Sequence, residues 1–248
     1  MSNRSLRSFW AGLPALAVAF GLTGCATQYV TPGGPAKLET IANPDIRESF
    51  ATKPEMQFPT SIVLVRVQSP GYRSYSAQGY GQGRYSVVTM REFEEDSDFQ
   101  RIQSLPDVGG AIMLNRLLLP ERLDSDVELR AAAAKLHADA LLIYTIDTEF
   151  YDRAKSTPMT AFSLGLAHTK DVLVSSTAAA ILVDVRTGYI YGALEDTEKA
   201  TRQSSAWTTR DAVENSRKET EKVAFQKLLG EFEPFWKNVV ARYKVAQR

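Results

Sequence analysis

The sequence is poor in the residues that mark catalytic, disulfide-bonded or metal-binding proteins. Its 248 residues include one cysteine, Cys25, and two histidines, His137 and His168. A single cysteine excludes any disulfide within the chain. A metal site needs three or four ligands in a defined geometry, and His168 with Asp171 would supply only half of one. His137 lies where a helix turns into a strand, a position that favours a C-cap.

The common catalytic motifs are missing too. The chain has no Walker loop, no G-x-S-x-G elbow, and no dinucleotide-binding glycine motif between a strand and a helix. It has 29 basic and 29 acidic residues, which argues against the basic footprint of a nucleic-acid binder. We therefore expect no cofactor, no metal, no nucleic-acid partner and no enzymatic activity.

What the sequence does contain is a complete N-terminal export signal. Arg4 and Arg7 form a positive region, and Trp10–Leu22 is an apolar run. The run is shorter than the roughly 20 residues that span a bilayer, so residues 1–24 are typical of a cleaved signal peptide. Without them the chain keeps 27 basic and 29 acidic residues and has no second stretch of membrane-spanning length.

The end of this signal, Leu22-Thr23-Gly24-Cys25, resembles the bacterial lipoprotein signal, in which a small residue precedes an obligatory cysteine. The resemblance implies that Cys25 becomes the lipid-modified first residue of the mature protein, with fatty acyl chains such as palmitate. Ala26 stands where inner-membrane lipoproteins carry aspartate. The resemblance therefore implies an outer-membrane anchor, with the protein facing the periplasm.

The mature chain divides into a tether and one domain. Residues 25–59 are rich in Pro, Thr and Gly, which predicts a semi-stiff tether. Residues 60–248 predict a periplasmic domain of the α/β (α+β) class. We expect a single mixed sheet of about five strands, with helices packed on it and a long C-terminal helix.

The periodicity of apolar residues places most elements of this domain. A helix over 125–136, capped by Asp124 or Ser125, leads into a central strand, Ala140–Ile146. Gly188 is placed for positive φ in the loop of a following hairpin, and Asp184 is placed to bond back to turn amides. The further predictions are strands Ser61–Val67, Tyr85–Met90, Ala111–Leu119, Thr177–Val185 and Tyr189–Leu194, a short helix Phe99–Leu105, and a last helix from Arg210 to about Gly230 that Pro234 kinks or interrupts.

Two segments allow more than one interpretation. Residues 69–85 mix glycine, tyrosine and arginine; we expect a long loop or a floppy hairpin that is disordered, and the alternative is an aromatic contact surface. Residues 156–168 are apolar between polar stretches. They are compatible with a hairpin extension, a partner-binding edge or a strand of an oligomeric pore.

Acidic residues offer weak functional candidates. Glu94-Glu95-Asp96-Ser97-Asp98 is predicted to be a solvated acidic face rather than a cation site, because it lacks a glycine-shaped liganding turn. Asp147 and Glu149 share one face of a strand end, with Asp152 nearby. Paired carboxylates can perform general acid–base catalysis, but unpaired surface acids are commoner.

Two motifs carry a resemblance to known families. Two stretches resemble a pattern in lipoproteins related to the curli-secretion-channel lipoprotein and in the N-terminal domain of the Tol-system propeller protein. They are Lys135-Leu136-His137-Ala138-Asp139-Ala140-Leu141-Leu142-Ile143 and Leu182-Val183-Asp184-Val185-Arg186-Thr187-Gly188. His137 replaces the usual glycine. The whole layout resembles the rhombotarget-type lipoproteins.

These resemblances imply a lipid-anchored periplasmic module for binding or assembly, with an envelope protein or a second copy as its partner. The alternative is a subunit of an oligomeric outer-membrane export pore, in which residues 69–90 and 156–174 supply the membrane strands.

Overall fold

The computed structural model describes residues 34–35, 46–153, 171–203 and 210–244. The predictions for the signal peptide and Cys25, for His168 and for most of the 156–174 segment lie outside these described residues. Within the described ranges, no helix is long and apolar enough to cross a membrane.

The described chain forms four helices and eight strands. In order they are α1 (Ile46–Ala51), β1 (Thr60–Gln68), β2 (Gln82–Gly83), β3 (Ser86–Val88), α2 (Asp96–Gln103), β4 (Val108–Met113), β5 (Arg122–Leu123), α3 (Asp126–Lys135), β6 (Ala140–Arg153), β7 (Asp171–Asp184), β8 (Ile190–Gln203) and α4 (Arg210–Tyr243).

Six of the strands form one mixed sheet, as the sequence predicts. The order is β3–β1–β6–β7–β8, and β4 also pairs with β1. β1 is parallel to β4 and β6, whereas the β1–β3, β6–β7 and β7–β8 pairs are antiparallel. β2 and β5 form a separate parallel pair. The predicted α/β (α+β) class with a long C-terminal helix is confirmed.

The sheet has a core on each face, because successive strand residues point to opposite sides. Helix α4 covers one face, where its Phe225 and Trp236 pack with Leu64 and Leu142. Helix α3 covers part of the other face, near the start of β6, where Leu129 packs with its neighbours. Burial on both sides explains the continuous apolar run at the start of β6.

The boundaries of α3 follow the local sequence signals. Ser125 and Glu128 form a reciprocal capping box at its N-terminus, which satisfies amides that the first turn leaves unpaired. Leu136 is its C-cap, and His137, the next residue, has a φ of 54°, the left-handed conformation with which many helices end. The chain then enters β6 at Ala140.

Residues 69–85 form the predicted loop, since β2 and isolated bridges are their only strand pairing among the described residues, but the predicted disorder is wrong. The segment is ordered, with Tyr72 and Tyr85 fully buried and only Tyr75 strongly exposed among the three. Gly83 allows β2 to approach β5 closely: its φ is 128°, and a Cβ there would overlap the Leu123 carbonyl oxygen. The glycines therefore permit packing in this segment.

The bounds of α4 and β4 also differ from prediction. Helix α4 continues through Pro234 to Tyr243, so of the predicted kink or interruption at Pro234 the interruption is absent. Trp236 beyond the proline is fully buried, and its indole N–H donates to the Pro106 carbonyl at 2.8 Å. β4 stops at Met113, because the Asn115 side chain accepts from the Leu117 amide and caps a short 3₁₀ turn, Arg116–Leu118.

Candidate functional site

The strands β6, β7 and β8 extend beyond the part of the sheet that α3 covers. Their pairing places Thr148 opposite Ser176 and Thr177 opposite Thr197. Even-numbered residues face α4, and Thr148 and Ser176 are buried there. Odd-numbered residues point the other way.

Nine of these odd-numbered residues form a grid of three rows that we call the open face. The inner row is Asp147, Thr177 and Thr197; the middle row is Glu149, Ser175 and Lys199; the outer row is Tyr151, Leu173 and Thr201. All nine are half-buried or exposed. The helix with extensive contacts to β7 and β8 in the described part of the chain is α4, on the opposite side.

The open face is chemically mixed. Its centre is built of short side chains, and the Thr177 and Thr197 hydroxyls are 2.9 Å apart. Glu149 and Lys199 stand on either side of Ser175. At the outer row, Tyr151 is 47% exposed. An exposed aromatic ring with a polar rim is the usual composition of a protein-binding surface.

The paired carboxylates predicted from the sequence lie on this face. Asp147 and Glu149 follow each other on the same side of β6, and the Tyr151 hydroxyl donates to Glu149. Partial burial, followed by the negative charge of Glu149, raises the pKa of Asp147. Among the described residues, no group of three or more histidine, cysteine or acidic side chains is arranged to hold a metal ion.

An apolar groove of about 360 Å³ separates the open face from α3. It is lined by side chains of β1, β6, β7 and β8, chiefly Val67, Ile143, Thr145, Ala179, Ile181 and Ala193.

The opposite face of the same strands holds a buried charged cluster that the sequence analysis did not find. It consists of Arg66, Glu92, Glu94, Arg217 and Glu221. Arg66 donates to Glu92 at 3.0 Å, and Arg217 donates to Glu92 at 2.8 Å and to Glu221 at 2.5 Å. The cluster thus joins α4 to β1 and to the segment before α2.

The hydrogen bonds around this cluster are nearly complete. Thr148 donates to Glu221 at 2.8 Å, and the Tyr144 hydroxyl donates to Glu94 at 2.8 Å. Within the described ranges, Arg66 Nε is the one buried side-chain nitrogen or oxygen without such a partner; the guanidinium carbon lies 4.7 Å from the centre of the Phe93 ring, a cation–π contact. Burial raises the pKa of Glu221 despite Arg217 and Arg66.

Two of the acids predicted to form a solvated face are in fact buried. Glu94 belongs to the charged cluster, and Asp98 forms the capping box of α2 with Glu95. A signal for the cluster was present in the sequence: Arg66 interrupts the apolar run of β1, and Arg217 and Glu221 are spaced four apart on the predicted helix.

The two motifs that carry the family resemblance meet at the hairpin between β7 and β8. Asp184 Oδ1 accepts from the amides of Arg186 and Thr187, which confirms its predicted turn role, and Gly188 has the predicted positive φ of 76°. Asp139 pairs with Arg186 at 2.9 Å. Asp184 Oδ2 also accepts from the Glu55 amide at 2.6 Å, so these motifs fix the chain just before β1.

Comparison with known proteins returned distant structural similarities. No protein-family model and no curated protein matches the sequence. The solved structures that it resembles include protein XCC0632 of the DUF330 family from Xanthomonas campestris, at 11% identity, a TM-score of 0.34, and coverage of 84% of this chain and 95% of the other.

Two further similar structures are a dodecamer of a PelC variant from Paraburkholderia phytofirmans and lipoprotein GNA1162 from Neisseria meningitidis. PelC is 9% identical, with a TM-score of 0.22 and coverage of 69% of this chain and 91% of PelC. GNA1162 is 11% identical, with a TM-score of 0.26 and coverage of 64% of this chain and 92% of GNA1162. All three TM-scores are below 0.5, so none of these similarities assigns a function to this chain.

Proposed function

We propose that the protein is a lipid-anchored module of the bacterial outer membrane that faces the periplasm and binds another envelope protein without enzymatic activity. The observation that carries the proposal is the open face, which the core of the domain leaves uncovered. The lipoprotein-type signal ending at Cys25 supplies the location.

The amino-acid composition of the open face fits a partner that binds transiently. Interfaces between proteins that also exist apart are about as polar as the rest of the surface, and the mixture of Thr177, Ser175, Glu149 and Lys199 has this character. Tyr151 and Leu173 provide the larger contact area, and aromatic anchors usually contribute most of the binding energy. The partner surface is expected to be flat, with an apolar recess for Tyr151.

The charged cluster is better explained as a structural element than as a second functional site. Its side chains are buried and bond to one another, which is the arrangement of a structural lock between α4 and the sheet. Asp147 and Glu149 are better accounted for as the polar rim of the open face, where they would pair with a basic group of the partner.

A photoreactive residue placed at exposed Thr201 tests the binding role in living cells. Illumination is expected to give one discrete adduct with an envelope protein. The same residue at exposed Asn238, on the far side of α4, is expected to give none. Equal adducts at both positions, or none at Thr201, would contradict the proposal.

Self-association is a separate outcome of the same experiment. An adduct of twice the chain mass would favour the oligomeric pore. Of the two segments assigned to that pore, residues 69–90 are packed into the domain through β2, β3 and buried Tyr72, so an assembly would have to use other strands.

The anchor is tested by Cys25→Ser, because a hydroxyl cannot replace the thiol that takes the diacylglyceryl group. Each buried methylene of a lipid chain contributes about 0.8 kcal/mol to membrane binding, and two or more chains make it stable. We expect the variant to leave the outer-membrane fraction for the soluble or inner-membrane fraction. Persistence in the outer membrane after a high-salt wash would place the anchor elsewhere, with residues 156–174 as the first segment to examine.

A further inference from the structure

The open face and the apolar groove beside it carry acidic groups that lack a basic partner among the described residues. Asp147, Glu149 and Glu195 lie on this side of the sheet and are half-buried or exposed. Within the described ranges, no lysine or arginine forms an ion pair with any of the three. Gly34, which passes close to Asp147, has no side chain to offer it. The three carboxylates are therefore available to a basic group from another molecule.

The strand pairing places two of these acids on either side of β7. Asp147 of β6 lies in the row of Thr177, and Glu195 of β8 lies one row nearer to α3, in the row of Ala179. Neighbouring strands are about 4.8 Å apart, and alternate residues of one strand are about 6.7 Å apart. The Cα atoms of Asp147 and Glu195 are thus about 12 Å apart, measured diagonally across β7.

The surface between these two acids is built of short side chains and opens into the apolar groove. Thr177 and Ala179 are the β7 residues between them, and Ile181 and Ala193 form the next row of the groove. Ala179 and Ile181 are half-buried and Ala193 is exposed, so a large apolar side chain placed over Ala179 would remove apolar surface from water. The order across the sheet is therefore acid, apolar recess, acid.

An extended peptide segment has the spacing that matches this order. Alternate residues of an extended chain point to the same side, and residues four apart are separated by about 13 Å. Basic residues at positions i and i+4 would therefore reach Asp147 and Glu195, while the residue at i+2 lies over Ala179. We propose that the partner presents an extended segment with Lys or Arg at i and i+4 and a large apolar residue at i+2. This inference names the chemistry of the partner and rests on the proposed binding of an envelope protein to the open face.

The sequence of this chain argues that the segment belongs to a different protein. Its pairs of basic residues four positions apart are Lys218 with Lys222 and Lys244 with Arg248, and the residue midway between them is a threonine or an alanine. Neither pair encloses a large apolar residue, and the first pair is part of helix α4. A second copy of this chain therefore does not supply the proposed segment.

The charges are tested in the full chain in living cells by Asp147→Asn combined with Glu195→Lys, which removes one acid and reverses the other. Like charges that face each other across an interface disfavour binding, so adduct formation from the photoreactive residue at Thr201 should fall at least about tenfold. The matched control is Glu231→Lys, which makes the same reversal at an exposed position of α4 and should leave adduct formation unchanged. Undiminished capture by the double variant, with its Tm preserved, would overturn the proposal.

A loss of stability in the double variant is separated from a loss of binding by Glu195→Lys alone. This substitution changes only an exposed residue, so it should preserve the Tm and still lower adduct formation. Unchanged capture by this stable variant would likewise overturn the proposal.

The second measurement reads the sequence of the captured segment. A photoreactive residue at exposed Ala193, in the groove, should join to a partner peptide that contains the basic, apolar and basic residues at the proposed spacing. A joined peptide without basic residues four positions apart, or no adduct at Ala193, would overturn the inference. Absence of any adduct at Thr201 would contradict the proposed function itself, whereas an adduct at Thr201 that does not respond to the charge changes would overturn this segment alone.

Discussion

The two faces of the β6–β7–β8 sheet are built from alternate residues of the same strands, yet polar side chains are buried on one face and partly exposed on the other. Thr148 and Ser176 face α4, are buried and bond to each other, and Thr148 also donates to Glu221. Their neighbours Ser175 and Thr177 face the other way and stay partly exposed. Which face a polar residue lies on, rather than its polarity, decides whether it stabilises the fold or remains available to a partner.

This difference assigns separate roles to the two faces. Substitutions in the charged cluster should change the free energy of unfolding, whereas substitutions on the open face should change partner binding and leave stability nearly unaltered.

The largest effect is expected for Arg66→Met. The change leaves Glu92 and Glu94 buried without one of their cations, and removing one partner of a buried ion pair costs about 3–5 kcal/mol. Denaturant unfolding of the purified protein measures the loss. The matched control is Arg91→Met, which breaks the surface pair with Asp96 and should cost at most about 1 kcal/mol. Similar losses of unfolding free energy in the two variants would contradict the role of the charged cluster as a structural lock.

Glu92 gives the cluster a defined pH dependence. Burial disfavours its charged form, but Arg66, Arg217 and the hydroxyls of Ser74 and Ser76 overcome this and lower its pKa to about 2. The value in an unfolded chain is near 4.5. The stabilisation by Glu92 is therefore complete above pH 4.5 and is lost as the pH falls towards 2. The difference between the two pKa values corresponds to at most about 3 kcal/mol.

Comparing Glu92→Gln with the unchanged protein isolates this effect. Glu221 acts in the opposite sense, because its raised pKa gives stability at low pH that is lost as the pH rises through that pKa. The unfolding free energies of the two proteins should differ most above pH 4.5 and converge as the pH falls towards 2. If the difference in unfolding free energy stayed constant over this pH range, Glu92 would not be the source of the pH dependence.

A smaller loss is expected at the hairpin, where the sheet meets the segment before β1. Gly188→Val puts a β-branched residue at a φ of 76° and a Cβ about 3.2 Å from the Arg130 guanidinium. Such strain costs about 1–3 kcal/mol. Gly188→Asn is the control, since asparagine tolerates this conformation better. An unchanged Tm for the valine variant would show that the turn relaxes without cost.

Local signals in the sequence predicted much of the framework. The capping box of Ser125 with Glu128, the positive φ of His137 and Gly188, and the turn bonds of Asp184 depend on neighbours in the chain, so they could be inferred from the sequence. The contact of Asp184 with the distant Glu55 amide could not. Pro234 shows the limit of local rules: alone it predicts a helix break, but the burial of Trp236 beyond it favours a continuous helix.

The charged cluster and the open face depend on contacts between distant parts of the chain. Arg66 finds Glu92 and Glu221 only after β1 and α4 have packed, and nothing near Arg66 in the sequence identifies these partners. The full length of β6 was also missed, because its second half alternates buried polar residues such as Thr148 with exposed ones such as Glu149. That alternation lacks the apolar stripe by which a strand is recognised.

The most direct test of the account measures stability and partner capture together in Tyr151→Ala. Tyr75→Ala is the control, since Tyr75 is 70% exposed on a different part of the surface. Both variants should unfold within about 1 kcal/mol of the unchanged protein, as expected for surface substitutions. Adduct formation from the photoreactive residue at Thr201 should fall at least about tenfold in Tyr151→Ala, the effect of losing an interface anchor, and stay constant in Tyr75→Ala. Undiminished capture by a stable Tyr151→Ala protein would contradict the assignment of the open face as the binding surface.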